Sequence, residues 1–380
     1  MEEIIRRIQS FAETAEDHER KALFTAIRAT LISLEKPDDA VERIAVSPLE
    51  LCAGKMGVDL QVFRNLSSSD GPLTLDELTN TTGADRHLLA RVLRCLSSMN
   101  MVDQLAPEIF SANNVTRALQ SPKGENFVEM YYQVLMPLFY ELPKYLGRTS
   151  YTDPTGSSRL PFHDAVKWEG DPFTYTDAFP EKGALADSHM QFCGNNLTNW
   201  ENVFSLMDPK TPPDDILFVD VGGGLGHQCA RLRAHYPNLK GRMIVQDRKR
   251  VIDARAPTQG VEKMVHDIFE PQPILGARVY YMRGVLHDWP DDKCQKVLQN
   301  IATAMGSRST LLIDEYVLPE MNVGRYATGL DMLMLASLGA QERTRSQWVD
   351  LVESVGLKVT DIKPHREGEY ASLIVAVKAA

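Results

Sequence analysis

Short apolar runs alternate with helical periodicity through the second half of the chain. The runs Leu217–Val221 and Val279–Met282 have the length and composition of buried strands. His227–His235 and Pro290–Met305 place apolar residues three and four positions apart, as helices packed on one face do. The pattern continues with Arg242–Val245, Thr310–Asp314, Ser346–Val355, Lys358–Ile362 and Ala371–Val377. This alternation predicts an α/β fold, a doubly wound parallel sheet with helices on both faces.

Residues 1–200 have a different pattern, which predicts a mainly helical region. Ile4–Leu34 and Ser47–Phe63 mix apolar and charged positions as amphipathic helices do, and Asp85–Ser98 places its leucines on one side. Gly147–Phe179 is rich in Gly, Pro, Ser, Thr and Asp, so an irregular loop region is expected there. No glycine-rich phosphate loop occurs in this half of the sequence.

A helix-turn-helix followed by a hairpin is predicted inside this region. Thr74 starts a capping box before the first helix, and Met101–Val102 and Ile109–Ser111 supply the hairpin, which together make a winged-helix arrangement. One interpretation is DNA recognition by the second helix, whose basic side chains are Arg86, His87, Arg91 and Arg94. The other is a dimerisation or packing module of the same shape. The formal net charge of −10 favours the second.

The stretch Leu217–Gly226 ends a strand in a glycine turn, with four glycines among the five positions from Gly222 to Gly226. Strand, glycine turn and helix form the unit in which a doubly wound sheet holds a nucleotide-like ligand, because ligand atoms can approach bare backbone amides there. A dinucleotide fingerprint would place a small residue at the sixth position, which His227 occupies. The spacing therefore favours S-adenosylmethionine (SAM) over a pyrophosphate.

Composition narrows the range of partners. The 380 residues are enough for two domains, and 43% hydrophobic and 24% charged residues are ordinary for a soluble globular protein. The acidic balance argues against nucleic acid and anionic membranes as partners. Five scattered cysteines suggest reduced thiols, and the first residues lack the apolar core of a signal peptide. We expect a cytoplasmic protein.

Later strands end in polar residues at the edge where such sheets bind ligands. Asp247 follows the glycine loop by about 25 residues, the position from which an acid holds ribose hydroxyls. Asp267 offers a second acid beside Ile268 and Phe269, an arrangement suited to an adenine edge against an apolar wall. Both acids are candidate cofactor ligands.

Two further motifs complete a family resemblance. Met282–Pro290 contains Leu-His-Asp-Trp, and Glu342-Arg343-Thr344 follows later in the chain. Together with Val-Asp-Val-Gly-Gly-Gly, they closely resemble the plant and fungal small-molecule O-methyltransferases of the caffeic acid type. The resemblance implies a homodimer, with residues 1–200 as a winged-helix dimerisation and substrate-capping domain. Residues 201–380 would form the SAM-binding domain, a Rossmann-like sheet that is mostly parallel with an antiparallel last strand.

The same resemblance implies roles for individual residues. The cofactor-binding set is Gly222, Gly224, Asp247, Asp267, Ile268 and Arg283. The two glycines would contact the amino-acid end of SAM and Asp247 its ribose. Asp267 and Ile268 would contact its adenine. Arg283 stands where the family usually has a lysine. The catalytic set is His287 as general base, flanked by Glu315 and Glu342. The substrate-binding candidates are Met334 and Asp288.

Elementary chemistry agrees with a histidine in this role. A neutral hydroxyl is a poor nucleophile, and a histidine with a pKa near 6.5 can remove its proton near neutral pH. No metal is predicted, because Asp288, Asp291 and Asp292 read as first-turn acids of the helix after Pro290. The expected reaction is methyl transfer to a phenol or enol of a secondary metabolite. The alternative is a SAM-binding pericyclase or dehydratase on the same frame, against which the intact His287 argues.

Overall fold

The chain divides between Tyr132 and Gln133 into two compact units. The computed structural model describes residues 2–193, 203, 212, 215–254, 258–366 and 370–379. Because the helices between 133 and 193 belong to the second unit, they group with the sheet and not with the earlier helices. The functional division into residues 1–200 and 201–380 stays a prediction. None of the described helices is long and apolar enough to cross a membrane.

Helices dominate the first unit. They are α1 (Glu2–Thr14), α2 (Asp17–Leu34), α3 (Pro37–Val46), α4 (Pro48–Asp59), α5 (Val62–Ser68), α6 (Leu75–Thr82), α7 (Arg86–Ser98), α8 (Asn114–Leu119) and α9 (Pro122–Met130). The amphipathic segment Ile4–Leu34 is thus two helices, separated at Ala15 and Glu16. None of the described side chains of α1 or α3 is buried.

The predicted helix-turn-helix and hairpin are present in this unit. Strands β1 (Leu73–Thr74), β2 (Asp103–Ala106) and β3 (Ile109–Ser111) form a small antiparallel sheet in the order β1-β3-β2. The capping box closes as expected, because Glu77 N donates to Thr74 Oγ1 over 3.2 Å and Thr74 N donates to Glu77 Oε2 over 2.7 Å.

The basic helix α7 is not free to read DNA with all of its cations. The Arg86 guanidinium donates to Asp76 Oδ1 over 2.6 Å and to Glu108 Oε2 over 2.7 Å. Leu89 and Leu93, one and two turns further along α7, are fully buried in the core of the unit. Pairing with two carboxylates fits a packing element better than a phosphate-binding one.

The expectation of an irregular region from Gly147 to Phe179 is wrong in part. After a π-helical turn, Tyr131–Leu135, the chain forms α10 (Met136–Arg148), α11 (Pro161–Val166), α12 (Pro172–Ala178) and α13 (Pro180–Cys193). The prolines that suggested a loop stand in the first turns of α11 and α12, where a missing N–H costs nothing. Asp171 caps α12, since its side chain accepts from Thr174 N over 2.8 Å.

The second unit is built on one large sheet. Its strands are β4 (Ile216–Val221), β5 (Arg242–Asp247), β6 (Glu262–Val265), β7 (Val279–Arg283), β8 (Thr310–Leu318), β9 (Arg343–Thr344), β10 (Leu357–Pro364) and β11 (Ala371–Lys378), in the order β10-β11-β8-β7-β4-β5-β6 with β9 beside β8. Strand β11 is antiparallel to both neighbours, and the remaining pairs are parallel. The predicted fold class is confirmed.

Helices cover both faces of this sheet. They are α14 (His227–His235), α15 (Lys249–Ala254), α16 (Asp291–Ala304), α17 (Arg325–Leu338) and α18 (Arg345–Glu353). Alternate residues of β7 face opposite sides: Tyr280 clusters with Leu298 of α16, and Tyr281 with Leu232 of α14. Because β4 to β8 run parallel, their carboxyl ends share one edge, where the predicted site residues lie.

Candidate active site

The glycine loop after β4 exposes bare backbone beside open space. Gly222 N and Gly223 N both donate to Gln246 O, over 2.9 and 3.1 Å, which ties the loop to β5. At Gly222 φ is +69°, and a Cβ there would lie 2.8 Å from Val285 Cγ2. At Gly224 φ is +56°, and a Cβ would meet no atom within 4 Å. A ligand can therefore approach the backbone of Gly224 closely.

Asp247 reaches from the end of β5 into this loop. Its Oδ2 accepts from Gly224 N over 2.8 Å, and its Oδ1 accepts from Arg248 N over 2.7 Å. Burial raises the pKa of Asp247, although both N–H groups act in the opposite direction. Each carboxylate oxygen keeps a lone pair, so the pair can still accept hydrogen bonds from two adjacent hydroxyls.

An apolar wall stands beside the end of β6. Ile268 and Phe269 are half-buried, and the indole of Trp289 meets the Phe269 ring edge-on at 4.8 Å. Asp267 is exposed, and its Oδ1 accepts from Phe269 N over 2.9 Å, which shapes this turn. Ile268, Phe269 and Asp267 thus lie at the edge of the sheet where the sequence analysis predicts that adenine binds.

Arg283 ends β7 with a largely buried guanidinium. Its Nε lies 3.6 Å from Asp314 Oδ2 and has no hydrogen-bond partner among the described residues. Asp314 is held in turn by the Tyr281 hydroxyl at 2.5 Å and by His365 Nε2 at 2.8 Å. Burial alone would lower the pKa of Arg283, but the Asp314 carboxylate raises it. The end of β7 therefore carries a guanidinium cation whose nearest carboxylate is Asp314.

His287 lies at the centre of the carboxylate cluster. It sits in a 3₁₀ turn, Leu286–Asp288, after β7. Its Nδ1 is 2.7 Å from Glu342 Oε1 and 3.9 Å from Glu315 Oε2, and its Nε2 is 3.4 Å from Asp288 Oδ1. Burial alone would lower the pKa of His287, but the three carboxylates raise it well above its ordinary value. The structure thus brings the three predicted catalytic residues together.

The neighbouring acids hold protons more tightly than free carboxyls. Burial, opposed by His287, raises the pKa of Glu315 to about 7 and that of Asp288 to about 6. Nε2 of His287 faces Gly284, where a Cβ would lie 3.6 Å from it. The same Cβ would lie 4.0 Å from Met190 Cε, so the missing side chain leaves room beside Nε2 between these two residues.

The interpretation of Asp288 changes at this point. Asp288 is not a first-turn acid of α16, because the helix begins at Asp291 and Asp288 belongs to the preceding 3₁₀ turn beside His287. The cause is Pro290, which ends one turn and precedes the next helix. Met334 is 7% exposed within α17, and its predicted contact with substrate stays a prediction. Asp291 and Asp292 do lie in the first turn.

Sequence reasoning missed the aromatic cover contributed by α12. The ring of Phe173 stacks on Trp289 at 5.5 Å with an interplanar angle of 27°, and the Arg248 guanidinium lies 5.0 Å from the same ring. Asp177 Oδ2 is 3.1 Å from the Arg248 guanidinium. Phe173 thus joins the turn after β7 to the residue that follows Asp247. No periodicity marked it, because a seven-residue helix is too short to show one.

The arrangement defines a class of enzyme, one that binds a nucleoside-like cofactor at the carboxyl edge and places a histidine beside it. Residues 214–358 match the family model described as the O-methyltransferase domain. O-methyltransferase ucdC of Aspergillus ustus is 47% identical over 378 residues, covering all of both chains. Demethylsterigmatocystin 6-O-methyltransferase of Aspergillus flavus is 34% identical, covering 100% of this chain and 98% of the relative.

Solved structures agree with these relatives. LepI in complex with SAM superposes with a TM-score of 0.89 at 30% identity, covering 99% of this chain and 98% of LepI. A structure described as a pericyclic reaction enzyme has a TM-score of 0.91 at the same identity and coverage. The chain belongs to the SAM-dependent O-methyltransferase family, and its cofactor is SAM.

The described residues fit this cofactor on four counts. Gly224 leaves space against its backbone, and Asp247 has unused lone pairs. Arg283 places a partly exposed guanidinium at this edge, a cation that suits an anionic amino-acid carboxylate. Ile268 and its aromatic neighbours offer an apolar surface to a flat base. No group of three or more His, Cys, Asp or Glu side chains is arranged to hold a metal ion among the described residues, and independence of metal stays a prediction.

Proposed function

We propose that the enzyme transfers a methyl group from SAM to a phenol or enol hydroxyl of a small aromatic or polyketide-type secondary metabolite. The observation that carries this proposal is the geometry of His287. Its Nδ1 is fixed by Glu342, and its Nε2 lies beside Gly284, which has no side chain to cover it. The relatives named above as O-methyltransferases support oxygen as the acceptor atom.

Bound SAM supplies an electrophilic methyl group on a sulfonium centre. Gly222 and Gly224 would hold its amino-acid end together with Arg283, and Asp247 its ribose. Asp267 and Ile268 would hold its adenine. Arginine instead of the usual lysine keeps the positive charge of the site and adds a planar fork that can grip a carboxylate at two points.

His287 then acts on the acceptor. With Nδ1–H donating to Glu342, Nε2 carries a lone pair and takes the hydroxyl proton as the oxygen attacks. The imidazolium that forms lies among three carboxylates, which stabilise its charge. Asp288 sits next to Nε2 and would contact the acceptor hydroxyl directly.

A product assay tests this function against its alternative. The full-length protein is incubated with SAM and a panel of phenolic and polyketide-type acceptors, and both S-adenosylhomocysteine and acceptor mass are followed. The proposal expects S-adenosylhomocysteine together with a mass gain of one methyl. The likeness to LepI supports a second candidate, a pericyclase or dehydratase that keeps SAM unreacted. In that case an acceptor is rearranged or dehydrated, no methyl moves, and methyl transfer is contradicted.

Replacing Asp247 by alanine is expected to weaken SAM binding about 10–100-fold. Hydrogen bonds to a charged group contribute about 1.5–3 kcal/mol, and about 1.4 kcal/mol corresponds to a factor of ten. Calorimetric titration with S-adenosylhomocysteine measures the effect. Asp253→Ala is the matched control, because Asp253 lies on the neighbouring α15 and, among the described residues, pairs with Lys249 at the surface. Equal affinities of the two variants for S-adenosylhomocysteine would contradict the assignment of Asp247 to the cofactor site.

Homodimerisation through the first unit is also part of the proposal. Its first three helices expose large apolar side chains: Ile4, Ile5, Phe11, Phe24, Leu31, Ile32, Leu34, Val41, Ile44 and Val46. Contiguous exposed apolar surface usually marks an interaction site. A second copy of the chain is the occupant that the family resemblance implies. The winged-helix segment would then serve packing, with no nucleic-acid or membrane partner and a cytoplasmic location.

The double variant Phe24→Asp with Leu31→Asp is expected to turn the dimer into a monomer. Both side chains are 62% exposed on one face of α2, so charges there oppose apolar association without disturbing the core. Light scattering after size-exclusion chromatography gives the mass. Leu105→Asp, on the 59% exposed Leu105 of β2, is the control and stays dimeric. A monomeric wild type would contradict the dimer itself.

A further inference from the structure

Buried ionisable side chains hydrogen-bond both the N–H groups and the carbonyl groups of the turn that carries His287. Val285 N and Leu286 N both donate to Glu315 Oε1 over 2.9 Å. On the other side, the Arg343 guanidinium donates to Leu286 O over 3.1 Å and to Trp289 O over 2.9 Å. A carboxylate therefore holds the N–H groups of the turn, and a guanidinium holds its carbonyls.

Arg343 is held by hydrogen bonds, an ion pair and an aromatic ring. Its side chain is 1% exposed, and its Nε and one terminal nitrogen donate to Asp291 Oδ1 over 3.0 and 2.7 Å. Its guanidinium lies 5.1 Å from the centre of the Trp348 ring. Trp348 is anchored in turn, because its Nε1 donates to Tyr316 O over 2.9 Å. The planar fork is thus stacked and hydrogen-bonded at once, which lysine cannot reproduce.

Arg343 is also the chain neighbour of Glu342, the partner of His287 Nδ1. Strand β9 pairs with β8 in parallel, with Arg343 opposite Val317, and Glu342 N donates to Asp331 Oδ1 over 2.9 Å. One short, fixed piece of backbone therefore sets both the position of the Glu342 carboxylate and the position of the turn that it must meet. A displacement of Arg343 changes the distance between His287 and Glu342.

We infer that Arg343 is the positioning residue of the general base. It holds the 285–289 turn so that His287 Nδ1 meets Glu342 and Nε2 faces the acceptor. The guanidinium itself hydrogen-bonds protein groups only, and it acts through His287. This inference rests on the proposed role of His287 and adds to it a residue that the motif Glu-Arg-Thr alone left without a role.

Arg343→Lys tests the inference in the full-length enzyme. A misplacement of a catalytic group by about 1 Å costs about 10²-fold in rate, so kcat is expected to fall about 10–100-fold. KM for the acceptor and Kd for S-adenosylhomocysteine should stay within about threefold of wild type, since the binding surfaces are untouched. The apparent pKa in the pH profile of kcat/KM should fall toward 6.5, because His287 loses its fixed carboxylate partner.

Two further variants keep the test decisive. Arg345→Lys, two residues on and exposed, is the matched control and should match wild type. Asp291→Asn removes one charge partner of Arg343 at a 57% exposed side chain, so it should fold even if Arg343→Lys does not. It is expected to shift kcat and the pH profile in the same direction by a smaller amount. A purely structural role predicts a lower melting temperature with an unchanged profile, and that result overturns the inference.

Failure of this inference is distinguishable from failure of the proposed function. If His287→Ala abolishes methyl transfer while Arg343→Lys and Asp291→Asn keep wild-type kcat and pH profile, only the positioning role is wrong. If His287→Ala keeps full activity, the general base lies elsewhere and the proposed function needs another catalytic group.

Discussion

Replacing His287 by alanine is expected to lower kcat for methyl transfer about 10²–10⁴-fold, the usual contribution of a positioned general base. The variant removes Nε2, the acceptor of the hydroxyl proton, while the glycine loop, Asp247 and Arg283 remain. Cofactor affinity should therefore stay close to the wild-type value. The measurement pairs the rate of methyl transfer at saturating SAM with calorimetric titration of S-adenosylhomocysteine.

His235→Ala is the matched control for this change. His235 lies in the last turn of α14 in the same unit, is exposed and belongs to no part of the site. It should retain wild-type kcat. Methyl transfer that survives in His287→Ala within a factor of about three would contradict the base assignment, because general-base effects are far larger than that. A loss of cofactor affinity parallel to the loss of rate would point instead to collapse of the edge between β4 and β7.

The sequence could predict the parts of this site that lie close together in the chain. Val-Asp-Val-Gly-Gly-Gly specified the strand, turn and helix from β4 to α14, because positive φ favours glycine, as at Gly222 and Gly224, and a ligand needs bare backbone there. The periodicity of Pro290–Met305 gave α16 to within one residue at each end. Local rules of this kind involve only neighbouring residues, so one sequence is enough to apply them.

Contacts between distant residues were beyond such rules. His287 and Glu342 are 55 positions apart, and their 2.7 Å contact depends on how β9 lies against β8. Only the family resemblance suggested that pair. Arg343 and Phe173 were missed because nothing local distinguishes a buried, stacked guanidinium or a covering ring from surface residues of the same type. Their roles follow from tertiary packing.

The alternation of β8 explains how one strand serves two polar networks. Asp314 and Glu315 are adjacent, so their side chains leave opposite faces of the sheet. Asp314 meets Arg283, Tyr281 and His365, and hydrogen bonds from the latter two offset its burial and lower its pKa. Glu315 meets the His287 turn. Two adjacent acids on one strand thus serve two different sites. Asp314 pairs with Arg283, the cation proposed to bind the cofactor, and Glu315 holds the turn that carries His287.

Glu342→Gln is expected to lower kcat about as much as the loss of the base, about 10²–10⁴-fold, although the two side chains have the same shape. The reason is the tautomer of His287. Glu342 Oε2 is buried without a hydrogen-bond partner among the described residues. An amide NH₂ placed there would be unsatisfied, at a cost of about 1–3 kcal/mol. The glutamine therefore turns its NH₂ toward Nδ1, which becomes an acceptor and leaves the proton on Nε2.

A histidine that already carries its proton on Nε2 cannot take one from the acceptor. Glu342→Asp is the informative comparison, because it keeps the charge and the correct tautomer but lengthens the contact, so a smaller loss of about tenfold is expected. The wild-type kcat/KM should rise with pH through the raised pKa of His287, since only the deprotonated ring is a base. In Glu342→Gln one carboxylate that raises this pKa is gone, so any residual activity should rise at lower pH. Wild-type kcat in Glu342→Gln, or an unshifted pH profile, would show that Glu342 does not set the state of His287.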